Sequence, residues 1–327
     1  MRSFIAIDLG GSNTRLGLVA GGELLVHRML DTRTEQGPGP WLERVAAACK
    51  ELKAEAAVRG ISVAGMGLAS PGVLDHRRGV VLSSPNLRAW EGFPLRRKLE
   101  DAVGLACVMD NDANLYALGE YRFGAGRGER DMALFTLGTG VGGGVILAGR
   151  LLHGGLGLGG ELGHINVEPG GRICGCGARG CLEAYASATA LRGMLCEEIN
   201  AGVHTRLGFD DGVKKMDRAA RQGDPLALEL FQRAGWALGR AINNLVAVTG
   251  VGLVVIGGGV ARGWDLMAES CHRELAACLH LVPLEKLRLV PSALQEDAPL
   301  LGAAELARRR CEQETRNPPP DGGEDLE

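Results

Sequence analysis

The sequence predicts an α/β fold built from two related halves, and three observations carry that expectation. Short apolar strands alternate with longer helical patterns along most of the 327 residues, the arrangement that puts helices against sheets. A strand–glycine turn–strand–glycine turn–strand unit occurs twice. Asp8-Leu9-Gly10-Gly11 leads to Leu16-Gly17-Leu18-Val19-Ala20-Gly21-Gly22-Glu23-Leu24-Leu25, and Thr136-Leu137-Gly138-Thr139-Gly140 leads to Val145-Ile146-Leu147-Ala148-Gly149-Arg150-Leu151-Leu152. The two align with a one-residue gap and imply a duplicated architecture with a cleft between the halves; a chance likeness of two glycine hairpins is the alternative. Finally, 51 residues are glycine, about twice the usual ~7%. They lack a three-residue period and prolines number only 13, which excludes collagen and low-complexity chains.

The elements follow in order. Residues 3–9, 15–19 and 23–29 read as strands joined by glycine turns. Residues 41–59 have helical periodicity, with Trp41, Val45, Ala48, Leu52 and Ala56 on one side. A strand over 61–69 ends at Pro71-Gly72. A helix over 94–103 has Pro94 in its first turn, and a short strand over 105–109 precedes a helix to about Tyr121 that Asp110 or Asp112 can cap. Strands over 132–137, 144–148 and 150–153 make the second meander. Helices are expected over 184–195, 226–248, 264–279 and 302–310, and strands over 253–256 and 287–290. The segment after Cys311 is rich in Pro, Gly and acids, the composition of a disordered tail.

Bulk properties narrow the partners. The net charge is −3 and aromatics are 4%, which argues against a nucleic-acid partner or an anionic membrane. The first residues carry one basic group and no cleavage-site pattern, and no run of about 18 apolar residues exists, so a cytoplasmic protein is expected. Of nine cysteines, Cys49, Cys107, Cys196, Cys271, Cys278 and Cys311 are scattered and read as small apolar residues of a reducing compartment. Cys174, Cys176 and Cys181 are clustered.

A glycine turn can aim several backbone N–H groups at one phosphate. Two repeated turns and the triglycine Gly257-Gly258-Gly259 favour that reading over plain hairpins, with Ser12, Asn13 and Thr139 adding donors. No Walker A pattern is present. Gly138-x-Gly140-x-x-Gly143 matches the dinucleotide fingerprint, but glycines at 144, 149, 154, 155 and 157 preclude the helix that it must open.

Asp110-Asn111-Asp112-Ala113-Asn114 begins like a calcium loop, yet Leu115 stands where glycine is required and Tyr121 where glutamate is. It reads as a polar cluster at a strand end, either catalytic or simply a helix cap. His164 with Cys174, Cys176 and Cys181 suits a closed tetrahedral zinc site; three buried thiols and a core histidine are the alternative. So glycine-rich a segment has little core of its own, which a metal clip would explain. Glu183 either favours a helix N-terminus or binds a ligand beside the cysteines.

Together these motifs resemble the ROK family of repressors and sugar kinases, within the actin-like ATPase superfamily, and among them the bacterial glucokinases. Asp8-Leu9-Gly10-Gly11-Ser12 and Leu137-Gly138-Thr139-Gly140 through Gly144 are similar to its two phosphate loops. Ile256-Gly257-Gly258-Gly259-Val260 is similar to its adenosine loop. Glu161-Leu162-Gly163-His164 and the run Cys174 to Glu183 match its signature and zinc motif. The likeness extends to Asp297-Ala298-Pro299-Leu300-Leu301-Gly302 and covers the chain to about residue 311. Where the family commonly has Asn-Leu-Pro-Gly-Trp, this chain has Asn86-Leu87-Arg88-Ala89-Trp90.

The resemblance implies a two-lobed, ribonuclease H-like α/β fold with mixed sheets flanked by helices and a cleft between the lobes. Residues 1–111 with 297–312 would form a small lobe, 112–296 a larger lobe that mediates dimerisation, and 313–327 the tail. It implies ATP-dependent phosphorylation of a hexose, glucose first, with N-acetylglucosamine, N-acetylmannosamine, fructose and allose as alternatives. Asp112 would be the general base. Gly72, Asn86, Asn111, Asp112, Glu161, His164 and Glu183 would bind the sugar. Gly10, Gly11, Ser12, Asn13, Gly138, Thr139, Gly140 and Gly257–Gly259 would bind ATP. Asp8 would hold Mg²⁺ through water, and His164, Cys174, Cys176 and Cys181 structural Zn²⁺. A homodimer or tetramer is expected. A family repressor is disfavoured, because the first phosphate loop begins at residue 8 and leaves no room for a helix-turn-helix domain before it.

Overall fold

The structure is a computed structural model that describes residues 2–76, 78–84, 87–280 and 282–316. It divides into two compact units, Met1–Phe123 with Asp297–Glu327, and Gly124–Glu296.

In the first unit β1 (Arg2–Leu9), β2 (Asn13–Ala20) and β3 (Glu23–Asp31) form an antiparallel meander. The β2–β3 turn is Gly21-Gly22, both at positive φ, the conformation that a tight hairpin with the native twist needs. Helix α1 (Pro38–Val58) returns the chain so that β4 (Ser62–Ser70) lies parallel to β1. Its buried residues Trp41, Val45, Cys49, Leu52 and Ala56 recur every three or four positions, which presents one apolar stripe to the sheet. A small ribbon of β5 (Val73–Asp75) and β6 (Val80–Ser83) follows, then α2 (Leu95–Val103), β7 (Cys107–Asn111) parallel to β4, and α3 (Asp112–Phe123). The sheet order is β3-β2-β1-β4-β7.

The second unit repeats this plan. Strands β8 (Met132–Leu137), β9 (Val141–Leu147) and β10 (Arg150–Leu151) form its meander, and Ala148-Gly149 turns the last hairpin, again with both φ positive. Helices α4 (Glu183–Ala186), α5 (Ala188–Asn200), α6 (Val213–Arg221) and α7 (Pro225–Thr249) precede β11 (Leu253–Gly257); α8 (Trp264–Cys278) and β12 (Arg288–Pro291) complete it. Strands β11 and β12 continue parallel to β8 in the order β10-β9-β8-β11-β12. The same five-strand order with the same senses in both units is the duplication expected from the repeat. Residues 141–147 are a strand, so the dinucleotide-fold reading fails on structure as it did on composition.

Four differences from the sequence expectations have local causes. The helix expected over 184–195 is split at Ser187, whose Oγ accepts from Ala190 N at 3.0 Å and caps α5, a role that serine fills well. Helix α6 and the β5–β6 ribbon are short elements that the periodicity did not signal. The C-terminal helix spans Ala298–Arg316, starting before residue 302 and running through residues 313–316 of the expected tail; the rest of that tail lies outside the described residues. The division between units falls after Phe123, whereas the expected lobe boundary was 111/112. Helix α3 packs on the C-terminal helix at backbone contact: a methyl group at Gly119 would overlap the Ala298 carbonyl oxygen, and one at Gly302 the Leu115 carbonyl oxygen. Only glycine allows that approach.

Each unit has its own core. One gathers Ile5, Ile7, Leu16, Leu18, Trp41, Leu52, Leu68 and Trp90, the other Phe135, Val145, Leu182, Leu191, Phe231, Ile242 and Val254. Of the six scattered cysteines, Cys49, Cys107 and Cys271 are buried among apolar side chains, as expected, whereas Cys196, Cys278 and Cys311 are only half-buried; burial pushes the Cys49 and Cys271 thiols up to about 12. No helix among the described residues is long and apolar enough to cross a membrane.

Candidate functional site

In the first unit β1 ends in the first glycine turn. Gly10 N donates to Asn13 O at 3.0 Å, and a methyl group at Gly10 would lie 2.7 Å from that oxygen, so the turn closes only without a side chain. Gly11, Ser12 and Asn13 are exposed. The turn is held from behind. Thr32 Oγ1 donates to Gly10 O at 2.7 Å and lies 3.0 Å from Thr14 Oγ1, which accepts from Trp41 Nε1 at 2.8 Å. Asp8 sits opposite Arg15 in the β1–β2 register, and Arg15 donates to its Oδ2 from Nε at 3.0 Å and Nη2 at 2.6 Å. The carboxylate's other oxygen, Oδ1, is left without a partner among the described residues.

The strand-end cluster lies at the β7–α3 junction. Asn111 Oδ1 accepts from Ala113 N at 2.9 Å and Asn114 N at 3.4 Å, so asparagine supplies the helix cap. Asn111 Nδ2 donates to Gly72 O at 3.1 Å. Asp110 is buried; its Oδ1 accepts from Asn111 N at 2.7 Å and Asn114 Nδ2 at 3.0 Å, with His76 Nδ1 3.6 Å away. Asp112 opens α3, half-buried, where the helix dipole favours a carboxylate. Asp112 Oδ1 also accepts from Ala113 N at 2.9 Å, so Asn111 and Asp112 share the first-turn N–H groups. Asn86 lies outside the described residues.

In the second unit Gly138 N donates to Gly140 O at 2.9 Å. The turn is tied to the start of α5, where Ala188 N donates to Gly138 O at 2.8 Å and Thr189 Oγ1 to Thr139 O at 2.8 Å. Gly258 adopts φ +91°, and a methyl group there would come within 2.5 Å of Leu137 O. The triglycine at the end of β11 therefore lies directly beside the second glycine turn. Gly257 pairs with Thr136 across the β8–β11 register.

Glu183 joins that turn to the cysteine cluster. Its Oε2 accepts from Val141 N at 2.9 Å, and its Oε1 from Cys174 Sγ at 3.5 Å. His164 closes a 3₁₀ turn over Leu162–His164. Its Nδ1 is 3.7 Å from Cys174 Sγ, and its Nε2 is 4.0 Å from Glu161 Oε2. Cys176 Sγ and Cys181 Sγ are 3.8 Å apart, and the ligand atoms of His164, Cys174, Cys176 and Cys181 all lie within 4.8 Å of one another. A tetrahedral zinc site with Zn–S of about 2.3 Å has S–S edges of about 3.8 Å, so the four donors fit the metal. His164 and Cys176 are exposed, which argues against the alternative of a core histidine and buried thiols. Burial pushes the Cys174 thiol up to about 12, whereas the Ala178 N–H beside Cys176 lowers that thiol.

A model of the ROK family matches residues 4–310. The chain belongs to the ROK family. It is 38% identical over 313 residues to a glucokinase of Thermotoga maritima, covering 94% of this chain and 97% of that one. It is 34% identical over 311 residues to an N-acetylmannosamine kinase of Escherichia fergusonii, covering 93% and 98%. It superimposes with a TM-score of 0.77 on the crystal structure of a ROK family glucokinase from Streptomyces griseus in complex with glucose and AMPPNP, at 35% identity over 94% of this chain and 99% of that one. The fold is accordingly the actin-like ATPase fold of ROK sugar kinases, with mixed sheets flanked by helices.

Within each unit of this ROK chain the structure brings the expected residues into groups. Gly72 meets Asn111 beside Asp112; Gly138–Gly140 meets the triglycine; Glu161, His164 and Glu183 gather around the three cysteines. Sequence reasoning missed Arg15, Thr14, Thr32 and Asp110. Arg15 was legible only as a strand residue, because its pairing with Asp8 needs the antiparallel register. Asp110 was read with its neighbours but not as the buried anchor of the β7–α3 corner.

Proposed function

We propose that this protein is an ATP-dependent hexose kinase that phosphorylates glucose at its 6-hydroxyl. The observation that carries the reading is Asp112, a half-buried carboxylate at the β7–α3 strand end beside Asn111, which in turn meets Gly72. It is supported by two glycine turns at the same position of two like sheets, and by the likeness to glucokinases.

In the proposed step Asp112 takes the proton of the glucose 6-hydroxyl as its oxygen forms a bond to the γ-phosphorus, and the bond from that phosphorus to the bridging oxygen of ADP breaks. The N–H groups of Gly10–Asn13 and Gly138–Gly140 hold the phosphates, and Gly257–Gly259 the adenosine. Gly72, Asn86, Asn111, Glu161, His164 and Glu183 hold sugar hydroxyls. Asp8 has Oδ1 available for hydrated Mg²⁺, which when bound neutralises charge on the phosphates. Zn²⁺, held by His164 Nδ1 and the three thiolates, would pin the glycine-rich loop and fix the imidazole so that Nε2 faces the sugar. Glu183 would couple that loop to the second phosphate turn. The reading also includes a homodimer in the cytoplasm; light scattering should then give about twice the 34.3 kDa of one chain.

An ATP-coupled assay over glucose, N-acetylglucosamine, N-acetylmannosamine, fructose and allose tests the proposal, with polyphosphate as a second donor. Glucose with ATP should rank first in kcat/KM. N-acetylmannosamine in first place would overturn the sugar assignment and leave a kinase, an outcome that the 34% identical relative makes the second reading. Turnover of none of these sugars would overturn the kinase reading itself.

A further inference from the structure

We propose that the first unit carries a second ligand site, for a small organic anion with an apolar body, in a pocket beside the C-terminal helix. The pocket has a volume of about 330 Å³, within the range of small-molecule sites. It lies among the start of β1, the β2–β3 turn, the end of α3 and the C-terminal helix. Phe4, Val19 and Phe123 give it apolar walls. The turn stays clear of Phe123 only because Gly22 has no side chain; a methyl group there would lie 2.5 Å from the ring.

The charges around the pocket do not cancel. Its two acids already have partners: Glu305 accepts from Arg308 at 2.7 and 2.8 Å and from Arg309 at 2.9 Å, and Glu312 accepts from Arg308. Two guanidinium groups remain. Arg122 lies 3.9 Å from Glu305, beyond hydrogen-bonding distance, with its side chain 54% exposed. Among the described residues Arg2 donates only to Cys311 Sγ, at 3.8 Å. A guanidinium with unused N–H donors is the group best shaped to take a carboxylate, phosphate or sulfonate in a bidentate fashion. The apolar walls select an anion that brings a hydrocarbon or aromatic body rather than a bare inorganic ion.

This pocket is separate from the phosphate turn. Arg2 and Asp8 are six residues apart on one extended strand, about 20 Å at 3.3 Å per residue. The proposal is therefore independent of the kinase reading.

The test uses the full-length protein and anilinonaphthalene sulfonate, an aromatic sulfonate whose fluorescence reports binding, with glucose and ATP present at saturation. One probe should bind per chain. The double variant Arg2→Gln/Arg122→Gln should bind it at least about tenfold more weakly, with its melting temperature unchanged. Bound probe should also slow alkylation of Cys311 by N-ethylmaleimide, read by peptide mass spectrometry, without slowing that of Cys196. Equal affinity in the double variant, displacement of the probe by ATP, or an unprotected Cys311 would each overturn the proposal.

Discussion

Asp112 and Glu183 are both first-turn carboxylates, yet their surroundings give them different work. Asp112 shares the Ala113 N–H with Asn111 and, on the proposed reading, takes a proton from the sugar. Asp112→Asn should lower kcat about 10²–10⁴-fold, the usual worth of a general base, while the glucose KM moves only a few-fold; near-wild-type kcat in a folded variant would remove Asp112 from the mechanism. Glu183 is already committed to Val141 N. Glu183→Ala leaves that donor unpaired and should cost about 1–3 kcal/mol in urea unfolding. The four-donor cluster has its own check. Purified protein should contain about one zinc per chain, the stoichiometry of a closed four-ligand site, and Cys176→Ser should lose most of it by elemental analysis.

At the scale of elements, the contact between α3 and the C-terminal helix makes the sharpest demands. Gly302→Ala forces a methyl group into the Leu115 carbonyl, and overpacking of this kind costs about 1–3 kcal/mol or more, so the melting temperature should fall while the zinc content holds. The same helix carries a pH dependence. Burial pushes the Glu305 carboxyl up, but hydrogen bonds from Arg308 and Arg309 outweigh it and hold the group below its usual value. A carboxyl depressed in the folded state contributes stability that is fully present above the unfolded value, about 4.3, and is lost as pH falls through the lower folded value. Urea midpoints should therefore decline below about pH 4, and Glu305→Gln should remove that part of the decline along with some stability at neutral pH. The strands and long helices around this contact were legible from alternation and 3.6-residue periodicity. The start of the helix at Ala298 was not, because Pro299 reads as a break until it is seen in a first turn, where its missing N–H costs nothing.

At the scale of the molecule, two units with two cores mean that one cooperative transition is not guaranteed. All four proposed zinc ligands lie in Gly124–Glu296. Chelation should lower the unfolding transition of that unit in calorimetry; an unchanged thermogram after metal is removed would show that the cluster does not support the fold. The sequence by itself determined the doubled strand plan, the glycine turns, the donor set and the polar cluster at 110–114. All of these are written in neighbouring residues, where spacing alone limits what the backbone can do. Only the tertiary structure decided that α3 belongs with the first unit, that Arg15 holds Asp8, that Glu183 ties the cysteine loop to the second glycine turn, and that Arg2 and Arg122 share a pocket. Each of those depends on residues far apart in the chain, whose approach is set by sheet register and helix packing and leaves no periodic mark on the sequence.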